Sequence, residues 1–481
     1  YWDQCVEPDP AAVPLEACPA DSGVLGASCP EDRRRPATGL QDGVAGIGAF
    51  FLQLAVVPET SLPVDAEAAE EALLEAAGYL SVAQGAGDWL LSQATREGDA
   101  WYWPELGGSS GVEARYATSL ATGAAGIGYF LVRLSEALET QEPGSGEPYL
   151  EGAARAADWL RQQQVAGELT AEGLETAYVP SDASSLAPLT GFYHGNAGVA
   201  YFFLAMYQAT GAVCYADDAR LLLAWLTGSS VLVEALNGVT WWPVPGETRG
   251  GTYTDAQQGN AGIGWTFLQA ARVLETASIE VTARGVPSGA EPAGTAIDHL
   301  QVARRAATWL SNAEIAHYYQ GLAWWPSQIT PWSDASEAGR SDWLDEQTLW
   351  RTSPVSRYST QYSGLLRGGA GIGTFFLALG REEDEGCFTA VADQASAWHY
   401  YQGSPDSAGG RWTWSTFAHR LISTEEIAGP TAPGYELGAS GVITFLAADR
   451  AGDDGALATT TPDLLGFTSL TAPTILTLDC P

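Results

Sequence analysis

The stretch QQGNAGIGWTFL, Gln257–Leu268, sets Gly259, Ala261, Gly262 and Gly264 at the head of a mostly apolar run. The same phrase returns as QDGVAGIGAFFL from Gln41, ATGAAGIGYFLV from Ala121, YHGNAGVAYFFL from Tyr193 and RGGAGIGTFFLA from Arg367. A weaker sixth copy, YELGASGVITFLA, begins at Tyr435. The motif glycines Gly43, Gly123, Gly195, Gly259, Gly368 and Gly438 mark an internal repeat longer than most solenoid units. Each phrase opens a helix that is apolar all round, which predicts burial. The order G-x-x-G-x-G, several times over and without alternating strands, excludes a dinucleotide-binding fold.

Between these phrases lie AGDWLLSQA, AADWLRQQQ, LLAWLTGSS, AATWLSNAE and ASAWHYYQG, built around Trp89, Trp159, Trp225, Trp309 and Trp398. Their apolar residues recur three and four apart, the pattern of amphipathic helices that form an outer layer. Buried and half-exposed helices in alternation predict an all-α fold, an α/α toroid of two concentric rings of about six helices each. Short β-like rim segments are expected around Trp103, Trp242, Trp325 and Trp414, which are candidate aromatic platforms for a sugar or peptide. The expected organisation is a Cys/Pro-rich tail over 1–38, the toroid over 39–450 and an extended tail over 451–481, with long loops at 276–292 and 331–357.

Small residues at a helix start let loop and helix approach closely. The first backbone N–H groups of a helix have no partner inside it, so converging N-termini are expected to attract anionic or acceptor-rich ligands. The residue before each motif glycine varies because it faces the shared mouth: Asp42, Thr122, His194, Gln258, Arg367 and Leu437. One position earlier stand Gln41, Tyr193, Gln257 and Glu436, with Asp255 and Arg115 just upstream of their own motifs. Carboxylates, an imidazole, amides and guanidinium groups around a concave rim make a candidate site.

The net charge of −36, with all 22 basic residues arginine, excludes nucleic acid and anionic lipid as partners. Absence of lysine excludes Schiff-base chemistry. No apolar run is long enough to span a membrane. Six cysteines, three of them in the first thirty residues and one at position 480, predict disulfides that tie the tails to the body in an oxidising compartment. With Tyr1 read as a processed N-terminus, the expected location is extracellular or periplasmic.

The glycine copies, YHGNAGVAYFFL above all, resemble the lanthionine synthetase C-like family, whose inner helices open with HGxAGI. The resemblance spans about Gly39 to Ala448 and implies an α/α toroid. Enzymes of that family hold a catalytic zinc on two cysteines and a histidine. The matching positions here are Gln257, Leu366 and Arg367, so the resemblance implies a relative without zinc, and no cofactor is expected. His194 matches the histidine of the HG motif and is the first catalytic candidate, with Asp255, Asp42 and Glu436 behind it. Tyr193, Gln257, Gln258, Arg367 and Arg115 complete the ligand-binding candidates. The leading expectation is a secreted toroid that binds a peptide or glycan at its mouth. A glycoside hydrolase or lyase using the mouth carboxylates, and a structural subunit of an extracellular assembly, are the alternatives.

Overall fold

The computed structural model describes residues 37–41, 43–55, 66–104, 116–181, 188–228, 231–234, 239–244, 251–275, 297–312, 315–319, 321–326, 328–329, 365–383, 386–402, 404–405, 412–413, 442 and 445–446. Residues 1–36 of the expected N-terminal tail, the whole C-terminal tail and both long loops lie outside them. The chain divides into two compact units, Tyr1–Gln164 with Pro180–Ala187, and Val165–Val179 with Pro188–Pro481. The fold is all-α and built of helical hairpins, consistent with the α/α toroid expected from the sequence. No helix among the described residues is long and apolar enough to cross a membrane.

In the first unit, inner helix α1 (Val44–Ala55) pairs with outer helix α2 (Ala66–Gln93), and α3 (Ala124–Gln141) with α4 (Glu147–Gln162). The two-stranded hairpin β1 (Thr95–Glu97) and β2 (Ala100–Tyr102) follows α2. The second unit opens with the hairpin β3 (Val165–Ala166) and β4 (Ala177–Tyr178). There α5 (Asn196–Thr210) pairs with α6 (Val213–Leu226), followed by hairpin β5 (Val233–Glu234) and β6 (Thr240–Trp241). Strand β7 (Thr252–Tyr253) leads into α7 (Asn260–Ala270), which ends in a π turn over Ala271–Glu275 and pairs with α8 (His299–Leu310). After β8 (His317–Tyr319), β9 (Leu322–Trp324) and β10 (Gln328–Ile329), α9 (Gly369–Glu383) pairs with α10 (Gly386–Gln402). Strand β10 returns to pair antiparallel with β7, and β11 (Ser404–Pro405) pairs with β12 (Trp412–Thr413). Cys214, on α6, is disulfide-bonded.

The glycine phrase does three packing jobs. A Cβ on the motif glycines Gly43, Gly123, Gly195 or Gly259 would lie closer than 3.0 Å to the backbone of its own preceding loop. Three residues on, Gly46, Gly126, Gly262 and Gly371 each leave room for one loop carbonyl, that of Leu40, Leu120, Ala256 and Leu365 respectively. Five residues on, the glycine is a notch for the next inner helix: Gly48 receives Phe130, Gly264 receives Phe375 and Gly373 receives Phe445. Repeat three departs from this rule, with Ala200 at the notch. Its follower departs in step, carrying Thr266 in place of phenylalanine, with Oγ1 at 3.4 Å from the Ala197 carbonyl. Volume added on one side is removed on the other, as close packing demands.

Helices α3, α5, α7 and α9 are buried nearly throughout, as their apolar character predicts. Helix α1 is the exception. It leaves Ile47, Phe50 and Leu54 exposed, Phe50 to 56%. Among the described residues of its unit no inner helix precedes it to offer a notch.

Between α5 and α6 the chain turns in two residues. Gly211 takes φ 69°, and its N–H closes the helix on the Tyr207 carbonyl at 2.7 Å. That left-handed conformation is natural to glycine and strained for other residues.

Candidate functional site

The loops ahead of α1, α3, α5 and α7 share one skeleton. In each, the chain folds back so that the first helical N–H groups donate to carbonyls seven residues earlier. Val44 N–H donates to Ala37 O at 2.8 Å, Ala124 to Ala117 at 3.0 Å, Asn196 to Leu189 at 2.9 Å and Ala261 to Thr254 at 3.2 Å. This corrects the expectation of free N–H groups at these helix starts. The loop itself supplies the acceptors, and their oxygens offset the partial positive charge of the helix start.

Neighbouring loops are tied main chain to main chain. In the first unit Gln41 N–H donates to Ala121 O at 2.8 Å. In the second, Tyr193 N–H donates to Gln257 O at 2.8 Å and Gln257 N–H to Leu366 O at 2.7 Å. All of these residues stand two positions before a motif glycine. A threonine five positions before the glycine adds a second anchor. Thr118 Oγ1 donates to the Pro180 carbonyl at 2.5 Å, and Thr254 Oγ1 to that of Pro326.

With the loops tied, the residue just before the motif glycine stays partly open in the four copies where it is described. Thr122, His194, Gln258 and Arg367 are half-buried, while their following glycines are buried. In the second unit this brings three candidates together. Arg367 Nε donates to Gln257 Oε1, and Gln257 Nε2 lies 3.4 Å from His194 Nε2. Burial, and then the charge of Arg367, hold His194 below the ordinary histidine range, so its ring is neutral at neutral pH.

Asp255 is turned away from this opening. It is 4% exposed, and its Oδ1 accepts the N–H groups of Gln258 at 2.9 Å and Gly259 at 3.1 Å. Burial pushes its carboxyl up to about 7, against the pull of those donors and of Arg367. Tyr193 is buried, its ring against Phe192 and edge-on to His194. Asp42, Glu436, Arg115, Leu437 and Trp414 lie outside the described residues.

The remaining tryptophans do something other than the expected platform role. Trp103, Trp242 and Trp325 are buried, and each Nε1–H donates at 2.8 Å to a carbonyl near the end of the preceding outer helix: Leu90, Leu226 and Leu310. They use their polar edge to satisfy helix-end acceptors, which leaves no open ring face. On the outer helices, Trp159 packs against Tyr102, Trp225 against Tyr178, and Trp309 stacks on Trp241.

Three structural residues escaped the sequence reading. Asn196 clamps Val179, accepting from its N–H at 2.7 Å and donating to its carbonyl at 3.1 Å. Asn260 accepts from Trp242 N–H and donates to Thr252 Oγ1 and the Tyr253 carbonyl. The asparagine right after the motif glycine in these two copies was the available signal. The fifth copy has Gly369 there, and the buried His399 of α10 occupies the space. Burial lowers its ring to about 3.

The positions that match the family's zinc ligands do meet in space: Gln257, Leu366 and Arg367 are joined by the bonds just described. Their donor set does not fit the metal. Zinc takes thiolate, imidazole or carboxylate, whereas these are an amide, a buried alkyl chain and a cation without a lone pair. Among the described residues no group of three or more His, Cys, Asp or Glu could hold a metal ion.

No family model matches the chain, and no characterised protein matches it by sequence. Among solved structures it is similar to a nisin cyclase, at TM-score 0.40 and 14% identity, over 77% of this chain and 72% of that one. A sugar epimerase from a ruminal bacterium gives TM-score 0.44 and 12% identity, over 87% of this chain and 91% of that one.

Proposed function

We propose that this chain is a secreted binding protein that takes a carboxylate-bearing peptide or glycan at the loops ahead of α5, α7 and α9. It does so without catalytic zinc. The observation that carries the reading is the Arg367–Gln257 pair. A guanidinium, charged at any ordinary pH, is held by a buried amide at the half-open end of three inner helices. With the first N–H groups of α5 and α7 already held by their loops, Arg367 is the group that draws an acceptor to this end. The Asp255 carboxyl, committed to Gln258 and Gly259, gives little support to a hydrolytic role.

The test is calorimetric titration with an acidic hexapeptide and an oligogalacturonate, each against its neutral counterpart, the amidated peptide and the methyl ester. The acidic forms should bind and the neutral forms should not. Arg367→Ala should weaken binding about tenfold or more, the loss of one charge-assisted hydrogen bond. With a net charge of −36 around the site, raising salt from low ionic strength should strengthen the encounter by screening the surface repulsion. Equal affinity for neutral and acidic forms, or an unchanged affinity in Arg367→Ala, refutes the reading.

A further inference from the structure

We infer that Gln257 is the positioning residue of this site: it reads the charge of Arg367 and fixes His194 as the Nδ1–H tautomer, which sets Arg367 and His194 as the donors for a carboxylate. The argument follows the protons. The atom of Gln257 that faces Arg367 Nε must be its oxygen, because a guanidinium only donates. The amide cannot turn without setting N–H against N–H. Its NH2 group therefore faces His194 Nε2 at 3.4 Å. A ring nitrogen that receives an N–H carries no proton of its own. The single proton of the neutral imidazole then sits on Nδ1.

The polarity of the whole chain of bonds thus starts at Arg367 and ends at His194. Gln257 can transmit it because it has no freedom of its own. It is 1% exposed, its N–H is bound to Leu366 O, and its carbonyl is bound to Tyr193 N–H. A ligand reaching this end meets the cationic fork of Arg367 and a neutral ring whose one N–H is Nδ1–H. That combination suits a carboxylate and opposes a cation or a metal. The ligand class rests on the binding function proposed above; the tautomer does not.

The test reads the free protein. Long-range 1H–15N spectra of the full labelled chain at pH 8 show which ring nitrogen carries the proton, with the His194 signals identified by their loss in His194→Gln. The expected pattern is protonated Nδ1 and bare Nε2. Gln257→Glu replaces the donating amide with an acceptor, so Nε2 should gain the proton and the His194 midpoint should rise by roughly one pH unit or more. Where that variant fails to fold, Arg367→Leu serves instead: it frees the amide to turn, and the Nε2–H form should grow. Nε2–H in the unaltered chain, or a pattern indifferent to the variant that folds, overturns the inference. Acetate, added as the simplest carboxylate, should shift the His194 signals saturably, and not in Arg367→Leu. Lack of that shift with the tautomer intact removes the carboxylate and leaves the positioning role standing.

Discussion

The loop ahead of α3 and the loop ahead of α7 are the same object built with different chemistry. Both fold back seven residues onto their own helix, and both anchor a threonine on a proline carbonyl, Thr118 on Pro180 and Thr254 on Pro326. At the fourth position before the glycine, Ser119 accepts the Thr122 N–H at 3.3 Å, while Asp255 accepts those of Gln258 and Gly259. At the second, Ala121 and Gln257 contribute the same backbone carbonyl to the tie, and only Gln257 adds a polar side chain. The skeleton is held by small residues, threonine and main chain. The side chains that carry chemistry are layered on top of it, so the two can be broken separately.

The largest effect should come from the skeleton. Gly262→Ala drives a methyl into the Ala256 carbonyl and to 2.7 Å from Phe192 Cβ, with backbone on one side that cannot give way. A loss of about 3–5 kcal/mol is expected in urea unfolding. Gly78→Ala in α2, with open space around it, should instead gain up to about 1 kcal/mol. Equal effects at the two sites would mean that the glycine phrase is not a packing device.

The next effect separates Asp255 from Ser119 through pH. Asp255 is raised in the fold from 3.8 to about 7, so the stability its carboxyl lends is fully present below 3.8 and is lost as pH rises towards 7. His399, lowered from 6.5 to about 3, works the other way in the same unit: its contribution is complete above 6.5 and is lost as pH falls towards 3. Between about 4 and 6.5 the two slopes oppose each other at roughly 1.4 kcal/mol per pH unit. Asp255→Asn keeps an acceptor for the loop and deletes one slope. The variant should be more stable than the parent at pH 8, by a few kcal/mol as an order of magnitude, and should lose stability steadily below pH 6.5. Ser119→Ala should leave the pH profile unchanged. Parallel profiles for Asp255→Asn and its parent would show that the carboxyl is already ionised in the fold.

The smallest effect sharpens the likeness of the two loops. Thr118→Val and Thr254→Val each remove one buried hydroxyl and orphan a proline carbonyl, at a cost of about 1–3 kcal/mol. The two costs should agree closely when measured by thermal unfolding. A large difference would mean that the anchors are not equivalent.

Much of this architecture is legible in the sequence because the glycine phrase and the tryptophan phrase carry different periodicities, and burial follows from them. The position before the glycine was also legible, since a residue that varies inside a fixed phrase is not one the packing specifies. Three things were hidden. The free N–H groups were an inference from the helix alone, and a loop that returns after seven residues leaves no composition signal. The tryptophans read as open rings because nothing local says which edge is used. Their partners, Leu90, Leu226 and Leu310, are 13, 16 and 15 residues away. Asp255 read as an open carboxylate, although its place three and four residues before Gln258 and Gly259 is where a side chain caps its own turn.

The exchange at Ala200 and Thr266 bears on how such a chain can evolve. A repeat with glycine at its notch accepts any neighbour that brings phenylalanine, and such repeats could be duplicated or shuffled. The third repeat accepts only a successor with a small residue, and the fourth would leave a void against any predecessor that has glycine. That pair is a lock between the third and fourth repeats. It fixes the order of the two repeats that carry His194 and Gln257, and recombination among the copies would be selected against at this junction first.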